Sequence, residues 1–586
     1  MPKQYPIETI RHSVAHVMAA ALQKLHPQAQ FGVGPVIENG FYYDIKLPKA
    51  ITESDLAAVE KEMRALVAAN LDFTRKELPI AGAVLFFKKK KQPFKVALLN
   101  DLKKKGTTKL SPEEQGALGA GKVPKVSIYG TGDFVDLCRG PHVANTGNLD
   151  PNAFKLVKIA GAYWRGSEKN PQMTRLYGAA FATRKELDDY LQLQAEIAKR
   201  DHRVLGATLD LFSQHPEAPG AIFWHPKGMA LWRVLEKFIR EKLDESYGEV
   251  STPIMVKKEV FLRSGHWEHY RENMFSLEIE KETYVLKPMN CPESTYIYGS
   301  RLRSWRDLPL RLSEVTDRLH RNELSGTLGG LFRVRQLSQD DAHIYCREDQ
   351  IESEIKKLID LTQEVYQAFN LQPSFRLGTK PDNAMGDPAL WEKAETALTK
   401  IIRDTKKEFT LKPKDGVFYG PKIDVHVKDS LGRDWQLATI QLDFQMPRRF
   451  DLSYIDEKGE KATPVMIHRA IFGAFERFIG ILIEHYAGAF PFWLAPVQVA
   501  VLPLNDKNRA YVASLAAKLK ERGIRVETDE RNESVGKKIR DAELQKIPYL
   551  LVIGDREAAA NTVAVRERGK GDLGAHNLDA FMEQII

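Results

Sequence analysis

Cysteine is scarce in this chain, which has only Cys138, Cys291 and Cys346 among its 586 residues. Three cysteines cannot build the disulfide framework of a small secreted protein, so a reducing compartment is expected. A run of apolar residues long enough to span a bilayer is also missing. The opening stretch MPKQYPIETIRHS lacks the apolar core of a secretory signal peptide. The sequence therefore predicts a globular, cytoplasmic protein without a membrane segment.

The length and charge of the chain indicate several domains and an anionic partner. At 586 residues, 43% of them hydrophobic and 28% charged, the chain exceeds one hydrophobic core, and three or four domains are expected. The net charge of +8 and the pI ≈ 9.0 suit a polyanion such as nucleic acid. Lysine runs at 88–91 and 103–105 are either a solvated basic face or phosphate contacts, and both interpretations stay open.

Residue patterning divides the chain into four segments and predicts a multidomain α+β protein. Residues 1–182 mix helical and strand signals, and the following segment, 183–205, holds a charged amphipathic helix typical of a linker. Residues 206–494 alternate helices with strands of antiparallel type. Residues 495–586 alternate strands and helices, which predicts a small α/β domain.

Candidate phosphate-binding residues lie in two parts of the third segment. The stretch LHRNE is predicted to be a strand that points Arg321 and Glu323 to one face. The stretch VMIHRAIFGAFERFIGILIEHY, residues 465–486, has apolar residues at helical spacing and is predicted to be a helix that holds Arg477. Two such arginines could clamp a triphosphate, although a single arginine is more often part of an exposed ion pair. No GxxxxGK[ST] loop occurs, which disfavours a P-loop ATPase.

These stretches carry a resemblance to a known family. In chain order, Pro253 after a long helix, the HRNE stretch and the GAFERF stretch resemble the three signature motifs of class II aminoacyl-tRNA synthetases. Together with KPMNCP, VRQLSQDDAHIYC and FYGPKID, they are similar to threonyl-tRNA synthetases over essentially the whole length. The resemblance implies an α/β editing domain at 1–182, a class II antiparallel-sheet catalytic domain at 206–494 and an α/β anticodon-binding domain at 495–586.

The same resemblance implies an activity. The expected reaction is ATP-dependent activation of L-threonine to threonyl-adenylate, followed by transfer to tRNA(Thr). An alternative is a non-catalytic paralogue that binds RNA. Such a paralogue is expected to have lost Arg321, Arg477 or one of the candidate metal ligands described below, and all of these residues are present. An antibiotic-resistant duplicate of a housekeeping copy would look the same in sequence.

A candidate metal site is formed by Cys291, His343 and His468. A lone cysteine or histidine is more often structural, but one cysteine and two histidines are a valid ligand set for a zinc ion that keeps its fourth position open. The resemblance implies one zinc per chain, which binds the amino and hydroxyl groups of threonine directly.

The resemblance also implies roles for the residues that hold ATP and threonine. Arg321 would bind the α-phosphate as a catalytic residue, with Glu323 at the adenine. Arg333 and the second catalytic arginine, Arg477, would bind the outer phosphates, and Mg²⁺ would accompany ATP. The threonine amino group would be bound by Asp341, and the second choices for the threonine pocket are Gln339, Tyr419 and Gln441.

Two residue pairs near the N-terminal end of the chain have ambiguous chemistry. His12 and His16 are four residues apart, as are Cys138 and His142, and this spacing alone is compatible with zinc. The resemblance implies instead a metal-free editing pocket that hydrolyses Ser-tRNA(Thr), because a thiol and three imidazoles can also perform acid–base chemistry near neutral pH. Three further residues fall on matching positions of that pocket: Tyr43, Lys95 and Asp136.

The resemblance finally implies anticodon-reading residues and a homodimer, the latter because the first motif lies at the subunit interface of this class. The anticodon residues would be Asn532, Glu557 and Arg566, which could otherwise be ordinary polar surface residues. The sequence departs from the family in three respects. A small β-grasp domain that many relatives carry before the editing domain is not in it, Ser294 replaces a histidine, and Ala474 stands where serine is common.

Overall fold

The computed structural model describes residues 5–106 and 124–585. The chain forms two compact units, Met1–Ala195 and Glu196–Ile586. The boundary falls within a helix, Arg184–Arg200, where the charged amphipathic helix was predicted. The finer domain boundaries given above stay predictions. Among the described residues, none of the helices combines the length and apolarity needed to cross a membrane.

The first unit packs a long helix against a mixed set of strands. Helix α1 is rich in alanine and follows Pro6, and its buried side chains fill the core between the helix and the sheet. Its described helices are α1 (Ile7–Leu25), α2 (Leu56–Ala68), α3 (Ile80–Lys89), α4 (Pro93–Lys105) and α5 (Arg184–Arg200). Its described strands are β1 (Gln30–Phe31), β2 (Val36–Ile37), β3 (Gly40–Lys46), β4 (Phe73–Pro79), β5 (Lys125–Thr131), β6 (Phe134–Leu137), β7 (Phe154–Tyr163) and β8 (Gln172–Ala180).

Two antiparallel sheets bring the chemistry-bearing residues of this unit together. One sheet has the order β1-β3-β8-β7, with β2 beside β3, and the other has the order β4-β5-β6. Helix α1 contacts strands of both sheets. Side chains from α1 therefore meet residues that follow β6.

The second unit is built on an eight-stranded sheet. Its order is β11-β15-β16-β23-β20-β19-β17-β18, which is antiparallel except for the pairs β11–β15 and β17–β18. The strands of its larger part are β9 (Phe212–Ser213), β10 (Phe223–Trp224), β11 (Tyr247–Glu249), β12 (Met255–Lys257), β13 (Phe275–Ile279), β14 (Glu282–Leu286), β15 (Leu310–His320), β16 (Gln336–Cys346), β17 (Pro373–Gly378), β18 (Phe409–Lys412), β19 (Lys422–Lys428), β20 (Asp434–Asp443), β21 (Tyr454–Ile455), β22 (Lys461–Ala462) and β23 (Val465–Ala474). The helices are α6 (His202–Thr208), α7 (Pro226–Lys242), α8 (Lys258–Ser264), α9 (His266–Tyr270), α10 (Cys291–Gly299), α11 (Ile351–Ala368), α12 (Pro388–Asp404), α13 (Met446–Arg449) and α14 (Phe475–His485).

Two local predictions for this region are wrong. The stretch 465–486 is not one helix, because its first ten residues form the central strand β23 and only the remainder forms α14. Nine of the ten residues of β23 are buried, and a strand covered on both faces has a continuous apolar run that imitates helical spacing. Arg321 and Glu323 follow β15, which ends at His320, and do not lie on the strand.

The C-terminal part of the second unit carries its own five-stranded sheet of order β25-β24-β26-β27-β28. The strands are β24 (Val499–Pro503), β25 (Val526–Thr528), β26 (Tyr549–Ile553), β27 (Thr562–Glu567) and β28 (Gly571–Asn577). The helices are α15 (Arg509–Glu521), α16 (Val535–Leu544), α17 (Asp555–Ala560) and α18 (Leu578–Ile585). Strands β24, β25 and β26 are parallel, so the loops that follow them lie at one edge of the sheet.

Candidate catalytic and editing sites

A cavity of ≈ 300 Å³ opens on the eight-stranded sheet of the second unit. All four residues predicted to bind a triphosphate nucleotide line it: Arg321, Glu323, Arg333 and Arg477. Three of these four are cationic, which favours an anionic ligand. The cavity wall also contains Gln339 and Ala474, which are paired across β16 and β23.

Local contacts orient the charged groups of this cavity. The Nε of Arg477 donates to the carbonyl oxygen of Phe332 at 3.1 Å, and the Nε of Arg333 donates to Glu323 at 2.9 Å. The Nε of Arg321 is buried and has no hydrogen-bond partner among the described residues. Burial and the nearby Arg321 and Arg333 lower the pKa of Arg477, while Glu323 raises it. A bound anion would favour the charged form of this arginine.

A cluster of Cys291, His343 and His468 lies on the same sheet. The two histidines are directly paired across β16 and β23, and Cys291 is the first residue of α10. One ligand atom from each residue lies within 4.8 Å of the others, and all three residues are buried. The structure therefore brings the predicted ligand set together.

Burial shifts the acid–base equilibria of two groups in this cluster. Burial raises the pKa of the Cys291 thiol, and the carboxylate of Asp341 raises it further. Burial likewise lowers the pKa of His343 well below its usual value. A bound divalent cation would favour the thiolate and the neutral imidazole, which are the forms that ligate metals.

Three of the four residues predicted for the threonine pocket lie around this cluster. An Asp341 carboxylate oxygen is 3.8 Å from Nε2 of His343 and accepts from Asn290 at 3.1 Å. The ring of Tyr419 lies 4.9 Å from that of His468, and its hydroxyl donates to Gln441. The fourth residue, Gln339, lines the nucleotide cavity instead.

The two departures from the family occupy the same region. Ser294 is buried in α10 and its hydroxyl lies 2.8 Å from that of Tyr345. Ala474 lines the nucleotide cavity and precedes α14. Both residues are uncharged in this chain.

In the first unit, the four residues with ambiguous chemistry converge. The Cys138 sulfur lies 3.2 Å from Nε2 of His12 and 3.3 Å from Nε2 of His142. The His142 ring is 4.2 Å from the His16 ring and stacks on Phe73 at 4.8 Å. These four residues also satisfy the spatial requirement for a metal site, so proximity does not decide between the two interpretations.

The acid–base state of this cluster follows from burial. Burial raises the pKa of Cys138 to about 12 and lowers that of His142 to about 2. The pKa values of His12 and His16 are also lowered by burial. Near neutral pH the cluster therefore holds a thiol and neutral imidazoles, which are hydrogen-bond donors and acceptors rather than ions.

A buried charged group adjoins the cluster. The carboxylate of Asp136 contacts the ammonium of Lys95 and accepts from the hydroxyl of Tyr43. Nζ of Lys95 also donates to the Tyr43 hydroxyl at 3.0 Å. Asp136 lies 3.7 Å from Nε2 of His16, which links this group to the four-residue cluster. The structure therefore brings together all seven residues predicted for editing.

Family models of known proteins match three parts of the chain. The family model described as tRNA synthetase class II core domain (G, H, P, S and T) matches residues 275–486. The anticodon binding domain model matches residues 498–586, and the model described as threonyl and alanyl tRNA synthetase second additional domain matches residues 126–177.

Two relatives extend the similarity to almost the whole chain. The threonine–tRNA ligase of Clostridium tetani is 48% identical over 579 residues, which are 99% of this chain and 87% of the relative. That of Acetivibrio thermocellus is 48% identical over 580 residues, 99% of this chain and 88% of the relative. The chain belongs to the threonine–tRNA ligase family. The multidomain α+β prediction, with a class II core, is thereby confirmed.

A solved structure of the family supports the fold. The RNA binding domain of threonyl-tRNA synthetase from Cryptosporidium parvum Iowa II aligns with a TM-score of 0.64 and 40% sequence identity. The alignment covers 66% of this chain and 97% of that one.

The residues predicted to read the anticodon of a threonine–tRNA ligase lie in a loop, a helix and a strand of the C-terminal part. Asn532 is exposed after β25, and Glu557, in α17, accepts the backbone N–H of Gly554 at 2.8 Å. Arg566 lies on β27, 3.6 Å from Asp572, and its Nε is buried without a hydrogen-bond partner in the described chain. The Glu557 carboxylate thus also has a local role, as a helix cap.

Sequence reasoning missed several residues of this ligase's site. Phe332 lines the nucleotide cavity beside Arg477. His266 is fully buried, with Nε2 3.7 Å from the sulfur of Cys291. An Asp443 carboxylate oxygen lies 3.1 Å from Nε2 of His468. Phe332 lies two residues before the stretch VRQLSQDDAHIYC, and no local signal marks the other two.

Proposed function

We propose that this protein ligates L-threonine to tRNA(Thr) at the expense of ATP and hydrolyses mischarged Ser-tRNA(Thr). The observation that carries the proposal is the proximity of two sites on one antiparallel sheet. Strands β16 and β23 contribute both to a cavity lined by cationic residues and to the Cys291–His343–His468 cluster. A nucleotide and an amino acid held there would lie next to each other, as adenylate formation requires.

In the activation step the arginines stabilise charge. The carboxylate of threonine attacks the α-phosphate, and pyrophosphate leaves with the β- and γ-phosphates. Arg321 binds the α-phosphate as negative charge develops there, and its Nε, which has no hydrogen-bond partner in the described part of the chain, supports this role. Arg333 and Arg477 bind the outer phosphates, with Mg²⁺ as the accompanying cation. Glu323 accepts from the adenine amino group once the nucleotide displaces its bond with Arg333.

The residues of the buried cluster fit one zinc ion. Zinc binds both thiolate and imidazole, and three protein ligands leave its fourth position open. When bound, zinc would supply a Lewis acid that takes the amino and hydroxyl groups of threonine. Asp341 accepts from the amino group, and Tyr419 and Gln441 form the wall beside it. Gln339, at the edge of the nucleotide cavity, is better suited to the acyl phosphate.

This arrangement explains which amino acids are rejected. Valine matches threonine in shape but lacks the hydroxyl, and sites built for a hydroxyl reject its absence by roughly 10⁴–10⁵ in other synthetases. Serine keeps the hydroxyl and lacks one methyl, which is worth only about 1–3 kcal/mol. Some Ser-tRNA(Thr) must therefore form, and a second, hydrolytic site is needed.

The seven-residue cluster of the first unit is suited to that hydrolysis. The thiol of Cys138 and the neutral rings of His12, His16 and His142 can position a water molecule against the seryl ester. The carboxylate of the buried Asp136, held by Lys95 and Tyr43, lies 3.7 Å from Nε2 of His16 and borders the neutral ring. No step in this scheme needs a metal.

The remaining parts of the proposal concern partners and location. Asn532, Glu557 and Arg566 would read anticodon bases, as side chains of this type read exposed base edges. The lysines at 88–91 are exposed and suited to tRNA phosphates. We also propose that the protein is a homodimer through the motif around Pro253. Its domain boundaries are those predicted from the sequence, and its location is cytoplasmic. Free cysteines support that location.

Aminoacylation and metal analysis test this function together. The purified protein should charge tRNA(Thr) with threonine and should contain one zinc per chain. Two tightly bound zinc ions would support a metal site in the first unit and contradict the metal-free editing chemistry. An active enzyme without zinc would contradict the proposed recognition of threonine.

A further inference from the structure

The segment that enters the second unit carries a buried histidine outside the sites described above. His202 begins α6 and is 3% exposed. Its Nδ1 lies 2.7 Å from Glu484 Oε1, and its Nε2 accepts the backbone N–H of Leu331 at 2.9 Å. With Asp201 and Glu484 it has the spacing of a metal site, but both ring nitrogens already have partners.

The contact with Leu331 fixes the tautomer of this ring. A backbone N–H can only donate, so Nε2 of His202 must carry the lone pair. The single proton of the neutral ring is then on Nδ1, where it is donated to Glu484. Glu484 is itself held by Arg433 and also accepts the backbone N–H of His202 at 3.0 Å. The orientation of the ring is therefore determined from both sides.

The loop that His202 holds forms one wall of the nucleotide cavity. Leu331, Phe332 and Arg333 all line it. The Phe332 ring packs between His202, at 4.1 Å, and Trp435, at 4.5 Å. The carbonyl oxygen of Phe332 accepts from Nε of Arg477, so a shift of the loop would turn this arginine away from the phosphates.

We infer that His202 is a positioning residue for ATP, because its Nε2 fixes the Leu331–Arg333 loop and, through Phe332, the guanidinium of Arg477. The inference rests on the proposed role of the cavity as the ATP site. It predicts that the acceptor at Nε2, and not merely the volume of the ring, determines the affinity for ATP.

Two substitutions separate the functions of the ring nitrogens. His202→Asn keeps a donor near the position of Nδ1 and loses the acceptor for Leu331. His202→Gln can place its amide oxygen near the position of Nε2 and loses the donor to Glu484. The KM for ATP and the KM for threonine are measured in threonine-dependent ATP–pyrophosphate exchange, together with the melting temperature.

His202→Asn should raise the KM for ATP roughly tenfold, because a buried N–H is left without a partner. The KM for threonine should change less than about twofold. His202→Gln should recover most of the affinity for ATP even if its melting temperature is lower. An equal rise of the KM for ATP in both variants, or a larger rise in His202→Gln, would overturn the inference.

A second pair of variants displaces the loop without changing the histidine. Gly330 has φ +59°, and a Cβ there would lie 2.2 Å from Nε2 of His202. At the adjacent Gly329 a Cβ would meet nothing within 4 Å. Gly330→Ala should raise the KM for ATP and Gly329→Ala should not. A wild-type KM for ATP in a folded Gly330→Ala variant would contradict the inference, even if the His202 variants fail to fold.

The assay distinguishes the failure of this inference from the failure of the proposed function. If the wild-type protein shows no threonine-dependent exchange, the proposed function is wrong and the inference falls with it. If the wild-type protein is active and the two members of each pair of variants have the same KM for ATP, only the role of His202 is wrong.

Discussion

Replacement of Asp136 by Asn tests the buried charge in the editing cluster. The side chains of Asp136 and Lys95 are each only 4% exposed. Asp136→Asn removes the counter-charge and leaves the ammonium of Lys95 buried. Breaking a buried ion pair in this way costs about 3–5 kcal/mol, far more than the ~0–1 kcal/mol of an exposed pair.

The loss should appear in the unfolding of the first unit. About 1 kcal/mol shifts the melting temperature of a unit of this size by roughly 2–4 °C, so a decrease of roughly 6–20 °C is expected. Calorimetry of the full chain should show the melting transition of the first unit at a lower temperature in Asp136→Asn and a second transition at an unchanged temperature. Asp133→Asn is the matched control, because Asp133 is exposed in the turn of the same hairpin.

A double variant separates stability from catalysis. Asp136→Asn combined with Lys95→Met removes both charges and should recover much of the lost stability. Hydrolysis of Ser-tRNA(Thr) should stay impaired in the double variant, because neither group is restored. If Asp136→Asn destabilises the protein by less than about 1 kcal/mol, the pair is not desolvated and the reasoning is refuted. Recovery of hydrolysis in the double variant would refute the proposed role of this group.

The remaining predictions concern the editing chemistry, pH and the anticodon. The Cys138→Ala variant should accumulate Ser-tRNA(Thr) while it still charges tRNA with threonine. A chelator should not slow deacylation by the wild-type protein in a short assay. Inhibition by the chelator that zinc reverses would indicate a metal site instead. The free energy of unfolding of the first unit should decrease as the pH falls from about 7 to 5, because His142 has a pKa near 6.5 when unfolded and about 2 when folded, so only the unfolded state binds the proton. Melting measured across this pH range should show a smaller decrease in His142→Gln. The same pH dependence in His142→Gln and the wild-type protein would contradict the assignment. Arg566→Ala should weaken aminoacylation of tRNA(Thr) but not of a minihelix without an anticodon, and equal losses on both substrates would show that Arg566 does not read a base.

Residue type, together with the resemblance to a known family, predicted much of the proposed chemistry from the sequence. Cys291, His343 and His468 are separated by 52 and 125 residues in sequence, yet motifs were sufficient to name them, and the structure brings them together. Chemically distinctive side chains are easily recognised because few other residues can ligate zinc.

Other features could not be predicted because they depend on contacts distant in sequence. The strand β23 imitates a helix, since burial on both faces removes the alternation that identifies strands. The contact between His202 and Leu331 joins residues 129 positions apart, and no sequence pattern near either residue predicts it. The roles of the zinc ligands, the editing residues and the anticodon residues stay predictions.

The amino acid dependence of ATP–pyrophosphate exchange tests the central claim most directly. The wild-type protein and His468→Ala would be assayed with the twenty amino acids, and zinc content would be measured in both. We expect exchange with threonine, weaker exchange with serine and essentially none with valine, and we expect His468→Ala to lose both zinc and threonine-dependent exchange. Exchange driven equally well by valine, or full threonine-dependent exchange in His468→Ala, would contradict recognition of the hydroxyl by a zinc ion at this cluster.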